Sequence, residues 1–581
     1  MMNDKEIRKL EQHLAFLYGE GCAVELSERI LARLAAIKPD LVGGQSDDSA
    51  PKFSEKDVIL IAYGDIVQAP NQPDLQTLKA FLDRRFDGRL NGLHILPFFP
   101  YSSDDGFSVM DYEAIDPKLG SWADFRHLAQ SRKLMVDGVI NHISRESEWF
   151  QKFLAGDPAY QDYFIQVDDT WDLGQVVRPR TSPLLTEVET VNGPREVWTT
   201  FSADQIDLNY ANPDVLLDVL DVLLFYLEQG ATIIRLDAIA YLWKESGTTC
   251  IHLPQTHAVV KIIRQVLEAA NPQAVLITET NVPHEENISY FGQVDPVTGQ
   301  TDEAHMVYQF PLAPLVLHAL ISGRSTKLTQ WAAGLAPTGI FFNFIASHDG
   351  IGVLPAKGVL TDAELQAVID QVHRHGGLLS HRSNPDGSKT VYELNTTLYD
   401  ALNDPASPSA LDVDRYLASQ VILLSLAGVP GIYYHSMFGS RNAHENVQKT
   451  GRARSINREK FTEAEMDALF ATPENLHAQI FERMLHLLAV REKQPAFDPY
   501  GAQQVLALDE RIFAVQRTSR EAEAKLLALV NVSSETFDLV LDLGTADTTE
   551  IWDLVSGERI SVAEGQAVIH FRPYCAFWLK L

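Results

Sequence analysis

Eight short apolar runs, each followed by helical or loop sequence, constrain this chain more than any other feature. They cover 57–65, 92–100, 134–142, 231–237, 274–280, 305–310, 340–349 and 428–435. Each is too short for a helix and rich in Val, Ile, Leu and Phe, as strands buried on both faces are. Helical patterns fit between several of them, at 74–86, 121–131, 212–229, 256–270 and 312–322. Eight strands alternating with helices predict an α/β chain built as a parallel (β/α)8 TIM barrel. Two gaps, about 143–211 and about 350–411, exceed a simple connection, and insertions of that kind wall the C-terminal face of a barrel. Upstream, 3–42 reads as two amphipathic helices and 43–57 as a polar linker. From about 504 onward, short strands with turns between them indicate an antiparallel β domain. The expected organisation is an N-terminal helical extension (1–55), the barrel with its insertions (56–503) and a C-terminal β domain (504–581).

Composition narrows the function classes. Acidic residues number 78 against 48 basic, a formal charge of −30 that disfavours nucleic acid and anionic membrane surfaces. The three cysteines, Cys22, Cys250 and Cys575, are far apart and suggest neither a disulfide framework nor a CxxC metal site. The N-terminus, MMNDKEIRKLEQHL, is charged and helical in pattern, unlike a signal peptide, and no apolar stretch reaches membrane-spanning length. A reducing, cytoplasmic setting is the expectation.

In such a barrel the working residues lie at the C-terminal strand ends. The third run ends on Asn141-His142, the fourth carries Arg235 and Asp237, the fifth ends near Glu279, and the seventh ends on His348-Asp349. The turn after the second carries Asp104, Asp105 and Phe107. One Asp at a strand end is usually a helix cap and one Glu a salt-bridge partner. Five such sites at one end of one barrel meet the convergence expected of a catalytic site. Paired carboxylates roughly 5–5.5 Å apart cleave a glycosidic bond with retention. Asp237 and Glu279 fall on consecutive strands, and neighbouring strands lie roughly 4.8 Å apart. Arg235 shares a strand face with Asp237 and can hold it ionised. Asp349 supplies a third carboxylate.

At these residues the chain resembles the α-amylase superfamily (glycoside hydrolase family 13), from about residue 57 to the C-terminus. The motifs are DGVINH (137–142), IIRLDAIAY (233–241), LITET (276–280) and FIASHDG (344–350). The resemblance implies Asp237 as nucleophile, Glu279 as acid/base and Asp349 as transition-state stabiliser, with His142, Arg235 and His348 as donor-sugar ligands. HILPFFPYSSDDGF (94–107), VRPR (177–180), SHDGIG (347–352) and ARSINR (453–458) are similar to the sucrose-phosphorylase group. That likeness implies Asp104 and Arg454 around the glucose 4-hydroxyl, and Phe107 and Phe201 beside the sugar. It also implies Arg180 and Tyr392 as phosphate ligands, and Tyr241 closing the acceptor side. An Arg suits a phosphorylase, because its fixed charge grips the phosphate that must outcompete water.

The acceptor region departs from sucrose phosphorylases. Thr280-Asn281 stands where they carry Val-His, and Glu393 follows Tyr392 where they carry Gln. The Asn281-Val282-Pro283-His284 run, the Tyr392-Glu393 pair and the N-terminal extension resemble the glucosylglycerate phosphorylase branch. The implied substrate is 2-O-α-D-glucosyl-D-glycerate. Glucosylglycerol, sucrose and sucrose 6′-phosphate remain alternatives, as does an α-glucosidase or transglucosidase. Arg180 or His284 would face an acceptor carboxylate. Glu393 would bring negative charge to the acceptor or bind its hydroxyls. Leu242-Trp243-Lys244-Glu245 replaces the usual amylase partner of Asn141, so no metal site is expected. No cofactor is expected either: inorganic phosphate is a co-substrate, the other partner is a small-molecule glucoside, and a homodimer is compatible with the sequence.

Overall fold

The computed structural model describes residues 2–37, 51–296, 299–335, 339–383, 388–544 and 549–581; residues 43–50 of the expected linker lie outside the described residues. Eight parallel strands close into a barrel. They are β1 (Ile59–Ala62), β2 (Gly92–Ile95), β3 (Lys133–Gly138), β4 (Ala231–Leu236), β5 (Val275–Thr278), β6 (Met306–Tyr308), β7 (Ile340–Asn343) and β8 (Val429–Tyr433). Each pairs with its neighbours in chain order, and β8 returns to β1. Helices Asp74–Phe86, Pro213–Glu228, Pro254–Ala270 and Leu312–Ser322 are among those that follow the strands. Asn212 caps the Pro213 helix through Asp214 N–H, with Pro at the first turn where its missing N–H costs nothing. Inside the barrel, Ile59 is level with Gly92 on one side and Gly431 on the other. A Cβ on Gly431 would lie 2.3 Å from the Phe342 ring, so the absent side chain makes room for a fully buried Phe.

The apolar runs outlast the strands they announce. The third run continues to His142, but β3 stops at Gly138, and His142–Ser144 pairs instead with Gln205–Asp207 in a separate antiparallel ribbon. The seventh run continues to Asp349, but β7 stops at Asn343. Tilted barrel strands diverge at the mouth. Past that point their backbones turn away as loops, and the apolar residues pack over the rim.

The stretch after β3 folds into a three-stranded sheet of Gln166–Val167, Gly193–Trp198 and Leu185–Thr190. The stretch after β7 gives another, Ile351–Gly352, Lys389–Asn395 and Leu378–Ser383, with helix Asp362–Arg374. Among the described residues, the C-terminal part forms eight antiparallel strands from Ala502–Leu506 to Ala576–Lys580. At the other end, helices Asp4–Tyr18 and Glu20–Ala36 form a hairpin that buries Leu10, Leu14, Leu26 and Ile30. The hairpin lies against helix Pro254–Ala270 and is pinned by Arg29–Asp214 at 2.7 Å, Arg33–Asp221 at 2.9 Å and Tyr18 Oη donating to Tyr210 O.

Candidate active site

A cleft of about 830 Å³, open to solvent, sits at the C-terminal mouth of the barrel. It is lined by Asp104, Phe107, His142, Arg180, Phe201, Asp237, Tyr241, Glu279, Asn281, His348, Asp349, Tyr392, Glu393 and Arg454. Of the residues singled out from the sequence, Asp105, Asn141 and His284 lie outside it, and Arg235 lies one layer below, lining a smaller cavity with Ile61, His94 and Tyr308.

Strand register sets the centre. Leu236 pairs with Thr278, so Asp237 and Glu279 emerge side by side from β4 and β5. Glu279 N–H donates to Leu236 O at 3.1 Å, which carries the ladder one step further. Arg235 points into the barrel between them. Its Nη1 donates to Asp237 Oδ1 at 2.8 Å and also to Asp137, its Nη2 lies 3.8 Å from Glu279 Oε2, and its Nε donates to Tyr308 Oη at 3.0 Å. His94 closes the arrangement on Asp137 at 2.8 Å. Burial would raise Asp137, but His94 and Arg235 hold it below the usual carboxylate range. The guanidinium is thus fully buried and paired on each side, and rigid beneath the two carboxylates. Asp137 belongs to the DGVINH motif, yet its part is legible only once β3 is placed beside β4.

The two carboxylates differ in surroundings. Burial pushes Glu279 up to about 7; the charges of Asp237 and Asp349 add to this and Arg235 opposes it. Burial also raises Asp237, with Arg235 in direct contact opposing it. Arg235 is nearer Asp237 than Glu279, so the proton resides on Glu279. One ionised and one protonated carboxyl at adjacent strand ends is the division of labour a nucleophile and an acid require. After Asp237 the chain turns sharply at Ala238, whose φ of 50° is a left-handed conformation rare for Ala. That turn aims Ala238 N–H at Glu279 Oε2, 3.1 Å away.

Asp349 is handled oppositely. Burial alone would raise it, but Arg454 at 2.7 Å, with His348 and Arg458, holds it well below the usual range. His348 stacks on Phe107 with ring centroids 5.1 Å apart and planes 4° from parallel, and burial keeps the imidazole neutral. His142 Nε2 faces Phe107 O at 2.9 Å, and its ring meets Phe201 at 5.2 Å. Gln205, unnoticed in the sequence, lines the cleft between them, 3.2 Å from His142 Nε2 and 3.4 Å from Asp104 Oδ2. Asp105, beside Asp104, is bound by Arg458 Nη1 at 2.5 Å.

The side of the cleft where the sequence reading places the acceptor is built largely from the second insertion. Strands Leu378–Ser383 and Lys389–Asn395 pair as Ser380–Glu393 and then His381–Val391, which leaves Tyr392 as an extra residue. In a regular strand Tyr392 and Glu393 would face opposite ways; the bulge lets both line the cleft. Arg180 lies 5.8 Å from the ring centroids of both Tyr392 and Phe201. Phe201 in turn meets Tyr241 edge-on at 5.6 Å.

The structure alters one expectation here. Glu393 is not a free charge waiting for an acceptor: both its oxygens accept from Arg454 Nη2 at 2.8 Å, and its side chain is almost fully buried. Arg454 therefore bridges Asp349 and Glu393, so the carboxylate that the sequence places near the acceptor is held in an ion pair. His284, half-buried against Phe341, has its basicity lowered by burial, and it does not line the cleft. Arg180 does. Beside the site, Lys244 Nζ lies 2.5 Å from Asp207 Oδ2 and donates to Asn141 Oδ1 at 3.0 Å. An ammonium thus stands between the carboxylate and carbonyl oxygens that converge there.

Comparison with known proteins follows the same lines. Residues 88–334 match the α-amylase catalytic-domain family. The chain is 48% identical to a glucosylglycerate phosphorylase of Spirochaeta thermophila over 91% of its length and 89% of the relative. It is 37% identical to a glucosylglycerate phosphorylase of Escherichia coli over 99% of its own length and 100% of the relative. Among solved structures, the sucrose 6F-phosphate phosphorylase of Thermoanaerobacter thermosaccharolyticum superposes with a TM-score of 0.72 at 26% identity, covering 88% of this chain and 98% of that one.

Proposed function

This chain belongs to the α-amylase family and is a glucoside phosphorylase, and from that premise we propose that it cleaves 2-O-α-D-glucosyl-D-glycerate with phosphate, giving α-D-glucose 1-phosphate and D-glycerate. The observation that carries the acceptor assignment is the likeness to glucosylglycerate phosphorylases along nearly the whole chain. The site is compatible with it in charge: Arg180 lines the cleft, while Glu393 is buried and bound by Arg454. An anionic acceptor therefore has a cation to meet in Arg180.

The mechanism follows from the two carboxyls. Asp237, kept ionised by Arg235, attacks the anomeric carbon as the protonated Glu279 gives its proton to the departing glycerate oxygen. Asp349, strongly ionised, with Asp104 and Arg454, holds the sugar and stabilises its developing positive charge. Phe107, His348, His142 and Phe201 enclose the ring faces. Phosphate then enters beside Arg180 and Tyr392, Glu279 takes its proton, and the glucosyl–Asp237 bond breaks with net retention. The protein's own residues carry every step, with phosphate as co-substrate.

The test runs the reaction backward. The protein is incubated with α-glucose 1-phosphate and a panel of D-glycerate, glycerol, fructose and fructose 6-phosphate, and phosphate release is measured. D-glycerate should give the highest kcat/KM. Inert glycerate with active glycerol or fructose overturns the assignment.

A further inference from the structure

The loop after β2 takes a backbone path that residues other than glycine adopt only where their surroundings impose it. Asp104 and Asp105 have φ of 56° and 51°, and Gly106 follows at 110°. A Cβ on Gly106 would lie 2.6 Å from Pro97 O, so glycine is needed there for space as well. This left-handed run sets where Asp104 and Phe107 stand in the cleft. Arg458 ties it through Asp105 on one side.

The other side is held by Asp204, which does not line the cleft. Its Oδ2 accepts from Ser102 Oγ at 2.6 Å, from Ser108 Oγ at 2.7 Å and from Ser103 Oγ. These serines flank the left-handed run, so one carboxylate grips the chain where it enters and where it leaves. Asp204 is itself fixed: Arg145 N–H donates to its carbonyl oxygen at 2.9 Å, extending the ribbon in which Ser144 is level with Gln205. Ser144 Oγ lies 2.6 Å from Ser102 Oγ, and Ser144 N–H donates to Val109 O at 2.8 Å, which binds loop to ribbon a second time. Burial would raise Asp204, but the three hydroxyls, with Arg145, hold it below the usual carboxylate range. It is therefore ionised at neutral pH and accepts from all three. The next residue, Gln205, reaches the same run from within, donating to Phe107 O at 3.1 Å.

We propose that Asp204 is a positioning residue for the donor sugar: through Ser102, Ser103 and Ser108 it holds the strained run that aims Asp104 at the glucose 4-hydroxyl. Asp204 touches no substrate. The inference rests on the placement of Asp104 beside that hydroxyl, which is part of the phosphorylase reading. Without the Asp204 carboxylate the three hydroxyls turn to water, the run relaxes towards ordinary backbone angles, and Asp104 leaves its place. A shift of about an ångström in a group that holds the substrate is enough to cost about 100-fold in rate.

Exchange of labelled phosphate into α-glucose 1-phosphate passes through the glucosyl-enzyme and needs no acceptor, so it reads the donor side alone. It is compared with exchange into 4-deoxy-α-glucose 1-phosphate, which lacks only the hydroxyl in question. The wild type should prefer the glucosyl donor by at least about 100-fold in kcat/KM. Asp204→Ala should lower that preference by at least about tenfold, through a loss confined to the donor that carries the hydroxyl. Asp204→Asn, which keeps an acceptor oxygen on the same stem, should retain more of the preference than Asp204→Ala. Added to Asp104→Ala, Asp204→Ala should lower the preference no further, because both act through one contact. An Asp204→Ala variant that keeps the wild-type preference overturns the inference, and so does one in which both donors fall together, the mark of a merely structural role. If Asp104→Ala also keeps the preference, the placement of Asp104 has failed rather than its anchoring. A wild type that incorporates no label overturns the double displacement itself.

Discussion

Replacing Glu279 by Gln separates what the site costs from what it does. Glutamine matches glutamate in shape but cannot ionise. The carboxyl's proton is retained from an ordinary 4.5 up to about 7, first because the group is buried and then because Asp237 and Asp349 sit beside it. A group whose folded-state value is raised contributes stability below its unfolded value, and that contribution is lost as pH rises through its folded one. Folding is therefore favoured at pH 4.5 and below relative to pH 8, where Glu279 is ionised. The difference is about 3 kcal/mol. For a chain of 581 residues, that is a shift in Tm of about 2–3 °C. Thermal unfolding of wild type and Glu279→Gln, followed between pH 5 and 8.5, should show the variant gaining on the wild type as pH rises, with nearly all the gain appearing between 5 and 8. Glucoside cleavage should meanwhile fall by about 10³-fold or more, as loss of the general acid and base removes both proton transfers. In the wild type, kcat/KM for the glucoside should decline above about pH 7, as the acid form disappears. A stability difference that does not vary with pH would refute the claim that burial and neighbouring charge hold the proton on Glu279.

Other perturbations test other parts. Asp237→Asn should abolish the glucosyl-enzyme and cut turnover by about 10³-fold or more, with an unchanged circular dichroism spectrum; turnover near wild type would refute its role. Arg180→Ala should raise KM for phosphate by about tenfold or more and increase the share of glucosyl-enzyme lost to water, read as free glucose beside glucose 1-phosphate. Glu393→Gln leaves Arg454 with one carboxylate instead of two; it should change acceptor kcat/KM severalfold and retain glucose 1-phosphate binding, measured by calorimetry. Lys244→Met leaves Asp207 and Asn141 buried beside an apolar chain; it should cost about 3–5 kcal/mol in chemical unfolding, and a smaller loss would show that the ion pair is dispensable.

Local pattern carried a large part of this protein. Strand periodicity and helix spacing are properties of neighbouring residues, so eight apolar runs announced a closed barrel in the right strand order. The same logic made Asp237 and Glu279 legible, because consecutive parallel strands in register must bring their ends together. Strand ends were less legible: apolar sequence runs past β3 and β7 because rim loops also need burial. The tertiary structure alone decided which charges meet. Arg454 and Glu393 are 61 residues apart, and Lys244 and Asn141 are 103 apart; no local period links either pair. A bulge of one residue aims Tyr392 and Glu393 into the same cleft, and Asp204 gathers Ser102, Ser103 and Ser108 from a distant part of the sequence. A residue's type and spacing set what chemistry it is able to perform. Its charge state and free lone pairs depend on partners that only folding brings within a few ångströms.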